Sequence, residues 1–74
     1  MANRNLNVEE LRKMYPVGTR IELLSDMYDP WHQGKRAGDK CTVQTVDDAG
    51  QIHVSWDDGG SIAIVPEVDS FRKI

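Results

Sequence analysis

The chain has 74 residues, of which 39% are hydrophobic and 28% are charged, a balance typical of one small folded domain rather than of a disordered segment. Its formal net charge of −3 argues against a partner whose surface is dominated by phosphates, although a local basic patch is compatible with this value. The single cysteine, Cys41, excludes an internal disulfide, and we expect a cytoplasmic protein without a membrane segment.

The first residues of the chain predict a short helix. Residues 1–6 are mainly polar, and we expect them to be disordered. Asn7 is a favoured N-cap residue and Glu10 follows at the spacing of a capping box, whereas Pro16 prevents the helix from continuing. We therefore predict an N-terminal helix within residues 7–15 that packs against the rest of the domain, because two helical turns are unstable alone in water.

Two alternating segments come next, separated by a long loop. Residues 19–25 predict a first strand with Ile21 and Leu23 directed inward. Residues 26–38 have no hydrophobic period and contain a proline and two glycines, so they predict a loop. Alternation returns over residues 39–46. The inward face predicted for this second strand consists of Cys41, Val43 and Thr45.

Residues 51–66 have the clearest pattern in the chain and predict a β-hairpin around an Asp-Gly turn. A tight turn over residues 47–50 leads into it, and a helical turn near residues 68–70 leads out of it to a short last strand. The side chains predicted to face the core in this half of the chain are Ile52, Val54, Trp56, Ile62, Ile64, Phe71 and Ile74.

In chain order, these elements indicate a mainly β fold, a small SH3-like five-stranded antiparallel barrel over residues 16–74 that follows the short α-helix. Closure of the barrel would bring the first and last strands together and protect their edges from pairing with other chains. The sequence has no repeat, linker or low-complexity segment that would divide residues 16–74 into two domains.

Three runs carry a family resemblance, namely YPVGTRIELLSDM at residues 15–27, VDDAGQIHVSWDDGGSIAIVP at residues 46–66 and VDSFRKI at residues 68–74. They resemble an uncharacterised family of small bacterial and mobile-element domains, a domain of unknown function. The resemblance implies the fold and a bacterial or phage setting, and it implies no catalytic residues. The central loop departs from the family pattern. The Trp-Asp-Gly hairpin is also loosely similar to Tudor and KOW modules, which bind peptides or nucleic acids.

The sequence contains no recognisable metal or catalytic motif. The soft metal ligands are His32, Cys41 and His53, and their spacing fits no zinc site. The aspartate pairs at residues 47–48 and 57–58 are typical of tight turns and lack the alternation of a calcium loop. Because no nucleophile elbow or phosphate-binding loop is present either, we predict no metal, no cofactor and no enzyme activity. We expect His53 to be solvated on the outer face of its strand, with a pH-sensitive contact as the alternative.

The long loop is the candidate binding surface. Tyr28 and Trp31 flank an Asp-Pro pair that includes Asp29, and Lys35 and Arg36 follow. Large rings beside charges are common anchors of binding surfaces, although Trp31 could instead cap the core. The leading hypothesis is a non-enzymatic protein-binding module that uses these five residues, in a phage or mobile-element accessory protein that acts on a host protein.

The alternative hypothesis is a nucleic-acid-binding domain of the SH3-like KOW or Tudor type. It requires the fold to gather the basic side chains on one side of the barrel. The residues predicted to form that patch are Arg20, Lys35, Arg36, Lys40, Arg72 and Lys73.

Overall fold

The computed structural model describes residues 7–27 and 34–74. Over these residues the fold is mainly β, with four antiparallel strands in one sheet of order β3-β2-β1-β4 and one short helix. None of the described helical residues forms a segment long and apolar enough to cross a membrane. In chain order the elements are α1 (Asn7–Met14), β1 (Arg20–Leu23), β2 (Lys40–Val46), β3 (Ile52–Trp56) and β4 (Phe71–Lys73).

Helix α1 packs across the end of β2, where it is held by apolar and polar contacts. Val8 is buried and Leu11 is half-buried against the core. The Arg12 side chain donates from Nε to the Val46 carbonyl oxygen at 3.2 Å and from Nη2 to Asp48 Oδ1 at 2.8 Å. These contacts supply the tertiary support that a helix of two turns needs.

The core lies on the inner face of the sheet, and the alternation in β1 and β3 predicted it correctly. Every second residue of these strands is buried, because successive side chains of a strand point to opposite faces. Trp56 is part of this core, as predicted, rather than of an exposed aromatic cage. The buried residues of the two strands are Ile21, Leu23, Ile52, Val54 and Trp56.

Strand β2 contains a β-bulge that the sequence did not indicate. Its pairing with β3 shifts register between Val43 and Thr45, which leaves Gln44 as an extra residue. Beyond the bulge the alternation is displaced by one position, so Thr45 is exposed and Val46 is buried. The prediction that Thr45 faces inward is therefore wrong.

The second half of the predicted hairpin forms one bridge instead of a strand. Ile64 pairs with Ile52 through two main-chain hydrogen bonds of 2.8 and 2.9 Å. The preceding residues leave the sheet, and the Trp56 indole Nε1 donates to the Ile62 carbonyl oxygen at 2.8 Å. The described residues thus form four strands in an unclosed sheet, and neither the fifth strand nor closure into a barrel is confirmed.

A compact turn connects Ile64 to β4. The main-chain N–H groups of Val68 and Asp69 both donate to the Val65 carbonyl oxygen, and Asp69 Oδ2 accepts from the Val65 N–H at 2.8 Å. In β4 the residues opposite the inward-facing positions of β1 are Phe71 and Lys73. Ile74 consequently lies on the other face and is 52% exposed, so its predicted inward position is wrong.

Candidate functional site

Three of the predicted protein-contact residues, Tyr28, Asp29 and Trp31, lie outside the residues that the structure describes. The ends of their loop are both described. The Met27 N–H donates to the Lys35 carbonyl oxygen at 2.8 Å, so the two ends are joined at the base of the loop.

The Lys35 side chain is directed into the protein, where it forms a contact that we name the Lys35 lock. The residue is only 8% exposed, and its ammonium Nζ lies 2.6 Å from both Asp58 Oδ1 and the Gly59 carbonyl oxygen. The same Nζ lies 5.5 Å from the centroid of the Trp56 ring, within the range of a cation–π interaction. Lys35 therefore connects the end of the loop to the turn that follows β3, and it contributes little to the exposed surface.

The remaining described contact residue, Arg36, has an exposed side chain at the turn that closes the loop. Its main-chain N–H donates to Asp39 Oδ2 at 2.9 Å. The structure thus separates the two cations of the predicted site, since Lys35 points inward and Arg36 is exposed.

An apolar groove borders the base of the same loop. Its volume is about 330 Å³, and Met27, which directly precedes the undescribed part of the loop, forms one wall. Val68 lies on the groove and is 74% exposed, so an exposed apolar side chain here borders a concave apolar surface. The full lining consists of Met27, Gln51, Ile62, Ala63, Val65, Val68 and Asp69.

Two of the predicted nucleic-acid contacts are neutralised by carboxylates on the outer face of the sheet. Arg20 donates to both Asp57 oxygens at 2.7 and 2.6 Å, and Arg72 donates twice to Glu22 Oε1 at 2.9 and 2.6 Å. The hydrogen bonds from these guanidinium groups lower the pKa of Asp57 and of Glu22. The outer face is therefore a surface of alternating charge.

The other basic residues are dispersed. Lys40 is exposed and lies opposite Glu22 in the register of β1 and β2. Lys73 lies opposite the inward-facing Ile21 and is therefore on the other face of the sheet. Lys35 is buried and Arg36 lies at the loop turn, so the outer face of the sheet brings together three of the six residues, Arg20, Lys40 and Arg72, with the carboxylates of Glu22 and Asp57 among them.

Comparison with known proteins identifies the family. A family model, Domain of unknown function (DUF4314), matches residues 4–74. The chain belongs to the DUF4314 family. No curated protein and no solved structure matches this DUF4314 domain.

The half-exposed His53 side chain of the DUF4314 domain contacts Asp47. Its Nε2 lies 2.8 Å from Asp47 Oδ2, and the other carboxylate oxygen of Asp47 accepts from the N–H groups of Ala49 and Gln51 at 2.9 Å. The hydrogen bond from Gln51, followed by that from His53, lowers the pKa of Asp47. Asp47 therefore closes the turn between β2 and β3 as an anion.

We expect Asp47→Asn to destabilise the DUF4314 domain at neutral pH and to have a smaller effect at about pH 2. A carboxyl whose pKa is lowered on folding contributes stability above its ordinary pKa of 3.8, and this stability is lost as pH falls through the folded value. Urea unfolding of both proteins at the two pH values measures the difference. Asp48→Asn removes the neighbouring charge and its solvent-exposed ion pair with Arg12, so it should cost less than about 1 kcal/mol and serves as the reference for loss of a surface carboxylate. An equal loss at both pH values would contradict the role of the anion.

The described residues of the DUF4314 domain contain no cluster of three or more histidine, cysteine, aspartate or glutamate side chains that could hold a metal ion. Cys41 is fully buried, and burial raises the pKa of its thiol to about 11. The neutral thiol is a poor nucleophile, so its role is that of a small core side chain.

Proposed function

We propose that this DUF4314 domain is a small, non-enzymatic protein-binding module that holds an extended segment of another protein in the apolar groove. The observation that carries the proposal is the exposure of Val68 on a concave apolar surface at the base of the long loop. Buried apolar anchors supply most of the affinity of such complexes. The loop residues Tyr28, Asp29 and Trp31, which follow Met27 in the sequence, belong to the proposed contact surface.

The charge beside the groove and the net charge of the chain support a basic partner segment. Asp69 is the charged residue that lines the groove, and the formal net charge of the chain is −3. We therefore propose a segment with apolar side chains for the groove and a basic side chain beside Asp69. The phage or mobile-element setting implied by the family resemblance favours a host protein as the source of this segment.

An SH3-like architecture is part of the same proposal. When the Ile52–Ile64 bridge is added beside β3, five chain segments follow one another in the order Ile64-β3-β2-β1-β4. This order, with a turn before the last strand, supports an SH3-like arrangement. In such a fold, the groove lies next to the loop that joins the first two strands.

Nucleic-acid binding is the second candidate, and the charges favour it less. Arg20 and Arg72 are paired with carboxylates, Lys35 is buried, and Lys73 lies on the face opposite to Lys40. A gel shift with single-stranded and duplex DNA at low salt tests this candidate. A salt-dependent shift would support it, and the absence of a shift would remove it.

A peptide display library tests the proposed groove. Peptides selected on the full chain are expected to contain apolar residues beside a basic one. Val68→Asp places a charge on the groove and is expected to weaken their binding at least tenfold, roughly the effect of losing a central apolar anchor. Titration by calorimetry or fluorescence anisotropy measures this loss.

The matched control is Val17→Asp, because Val17 is 72% exposed, comparable to Val68, and does not line the groove. The control should bind the selected peptides like the parent protein. Selected peptides that bind all three proteins equally would contradict the assignment of the groove, as would selected peptides without apolar residues.

A further inference from the structure

The outer edge of β4 has main-chain groups that face away from the sheet. The Leu24 N–H donates to the Ser70 carbonyl oxygen, and the Ile74 N–H donates to the Arg20 carbonyl oxygen. Main-chain groups alternate in direction along an antiparallel strand, so those of Phe71 and Lys73 point away from β1. Within residues 7–27 and 34–74, no main-chain partner is found for these two residues.

The opposite edge of the sheet is partly covered. The Ile52 N–H and carbonyl groups at the edge of β3 bond with Ile64, and the Trp56 carbonyl oxygen accepts from the Gly59 N–H. Exposed edges tend to pair with further strands unless they are protected. The β4 edge therefore has more main-chain groups available for pairing with an additional strand than the β3 edge has.

The side chains beside this edge differ between the two faces. Phe71 and Lys73 lie on the inner face, where both contact Tyr15: the Tyr15 and Phe71 ring centroids are 5.6 Å apart, and Lys73 Nζ lies 5.4 Å from the Tyr15 ring. Lys73 Nζ also donates to the Met14 carbonyl oxygen at 2.8 Å. No carboxylate of the described chain forms an ion pair with it, whereas Arg72 on the outer face is paired with Glu22.

We propose that the β4 edge binds an extended segment of another protein by strand addition, and that this segment has an acidic residue opposite Lys73 and an apolar residue opposite Phe71. Main-chain hydrogen bonds would supply the affinity and the alternate side chains the specificity, as in other strand-addition complexes. Because Phe71 and Lys73 are two positions apart, the partner sequence in an antiparallel added strand is an acidic residue, any residue and an apolar residue. The positive charge of Lys73 favours the acidic position.

A second copy of this chain fits the edge less well. If the β4 strands of two copies paired antiparallel, with Phe71 opposite Lys73, the Arg72 side chains of the two copies would face each other. Like charges directly opposite one another destabilise a strand pair. The charge pattern of the edge thus favours a different, acidic partner over self-association.

The experiment uses the full, isotope-labelled chain and blocked seven-residue threonine peptides that carry glutamate at the third and valine at the fifth position, the order that places them opposite Lys73 and Phe71 in an antiparallel added strand. Titration monitored by NMR is expected to shift the Phe71 and Lys73 amide signals and to slow their hydrogen exchange. Methylation of the valine and glutamate nitrogens removes two donors and is expected to weaken binding about tenfold or more. A peptide with lysine in place of glutamate is expected to bind several-fold more weakly.

Lys73→Gln is the matching protein variant, because glutamine removes the charge but keeps a hydrogen-bond donor. It should abolish the preference for the glutamate peptide over the lysine peptide and retain the sensitivity to N-methylation. Lys13→Gln changes an exposed lysine of α1 and should preserve the preference. Equal binding of methylated and unmethylated peptides would overturn the proposal, and so would dimerisation through β4 without a response to peptide.

The edge and the groove are tested separately. Val68→Asp should leave binding of the glutamate peptide at β4 unchanged, because Val68 lines the groove and is not part of the edge strand. Peptide-induced shifts confined to Met27, Val65 and Val68 would assign the peptide to the groove and overturn strand addition, while leaving the proposed function intact.

Discussion

Ile64→Ala is expected to lower the free energy of unfolding by about 2–5 kcal/mol, the usual cost of truncating a fully buried isoleucine. Ile64 has no exposed surface, and its main chain forms both hydrogen bonds of the bridge to Ile52. The substitution leaves a cavity at the point where residues 57–65 are attached to the sheet. Chemical denaturation measures the loss of stability, and hydrogen exchange at the Ile52 amide shows whether the bridge opens.

The control for this substitution is Ile74→Ala, which makes the same chemical change at a residue that is 52% exposed. Its expected cost is below about 0.5 kcal/mol, as for most surface substitutions. Similar losses for the two variants would contradict the core position of Ile64.

Lys35→Ala is expected to destabilise the domain by about 2–4 kcal/mol, because it removes charge-assisted hydrogen bonds and the packing of the lysine stem. The ammonium donates to Asp58 and to the Gly59 carbonyl oxygen while lying near the Trp56 ring. For a domain of this size, each kcal/mol lowers the melting temperature by about 4–8 °C. Thermal unfolding followed by circular dichroism therefore resolves the effect.

Two further substitutions separate the contributions to the Lys35 lock. Lys35→Met keeps the apolar stem and avoids the cost of burying a charge, so its effect should be smaller than that of Lys35→Ala. Lys40→Ala alters an exposed lysine and should change stability by less than about 0.5 kcal/mol. A Lys35→Ala protein as stable as the Lys40→Ala control would show that the lock contributes nothing.

The alternation of side chains predicted the parts of the fold where the strands are regular. Ile21 and Leu23 are buried as expected, because a strand with one buried face repeats every two residues. At Thr45 the same rule failed, because the extra residue in β2 moves the following side chains to the opposite face of the sheet. The residue types around the bulge do not indicate that it is there. After Trp56 the rule predicted the inward positions of Ile62 and Ile64 correctly but not the main-chain path, because the Ile62 carbonyl oxygen bonds to the Trp56 indole instead of to a strand.

The candidate site was less accessible to sequence analysis. A lysine is normally expected at the surface, and the burial of Lys35 depends on Asp58 and Gly59, which are more than 20 residues away. The apolar groove has the same origin, since Met27 meets Val65 and Val68 only after the sheet has formed. Such sites depend on pairs of residues that are distant in sequence, and local patterns contain no information about those pairs.

The position of β1 between β2 and β4 has a consequence for synthesis on the ribosome. β1 can pair with β2 as soon as β2 emerges from the ribosome. Its other neighbour, β4, follows about 50 residues later in the sequence, the separation of Glu22 and Arg72. Until residues 71–73 leave the ribosome, β1 keeps one edge open and Leu23 lacks its neighbour Phe71. Closing so long a loop is slow compared with forming a hairpin. The nascent domain therefore passes through a stage in which a central strand is temporarily an unprotected edge.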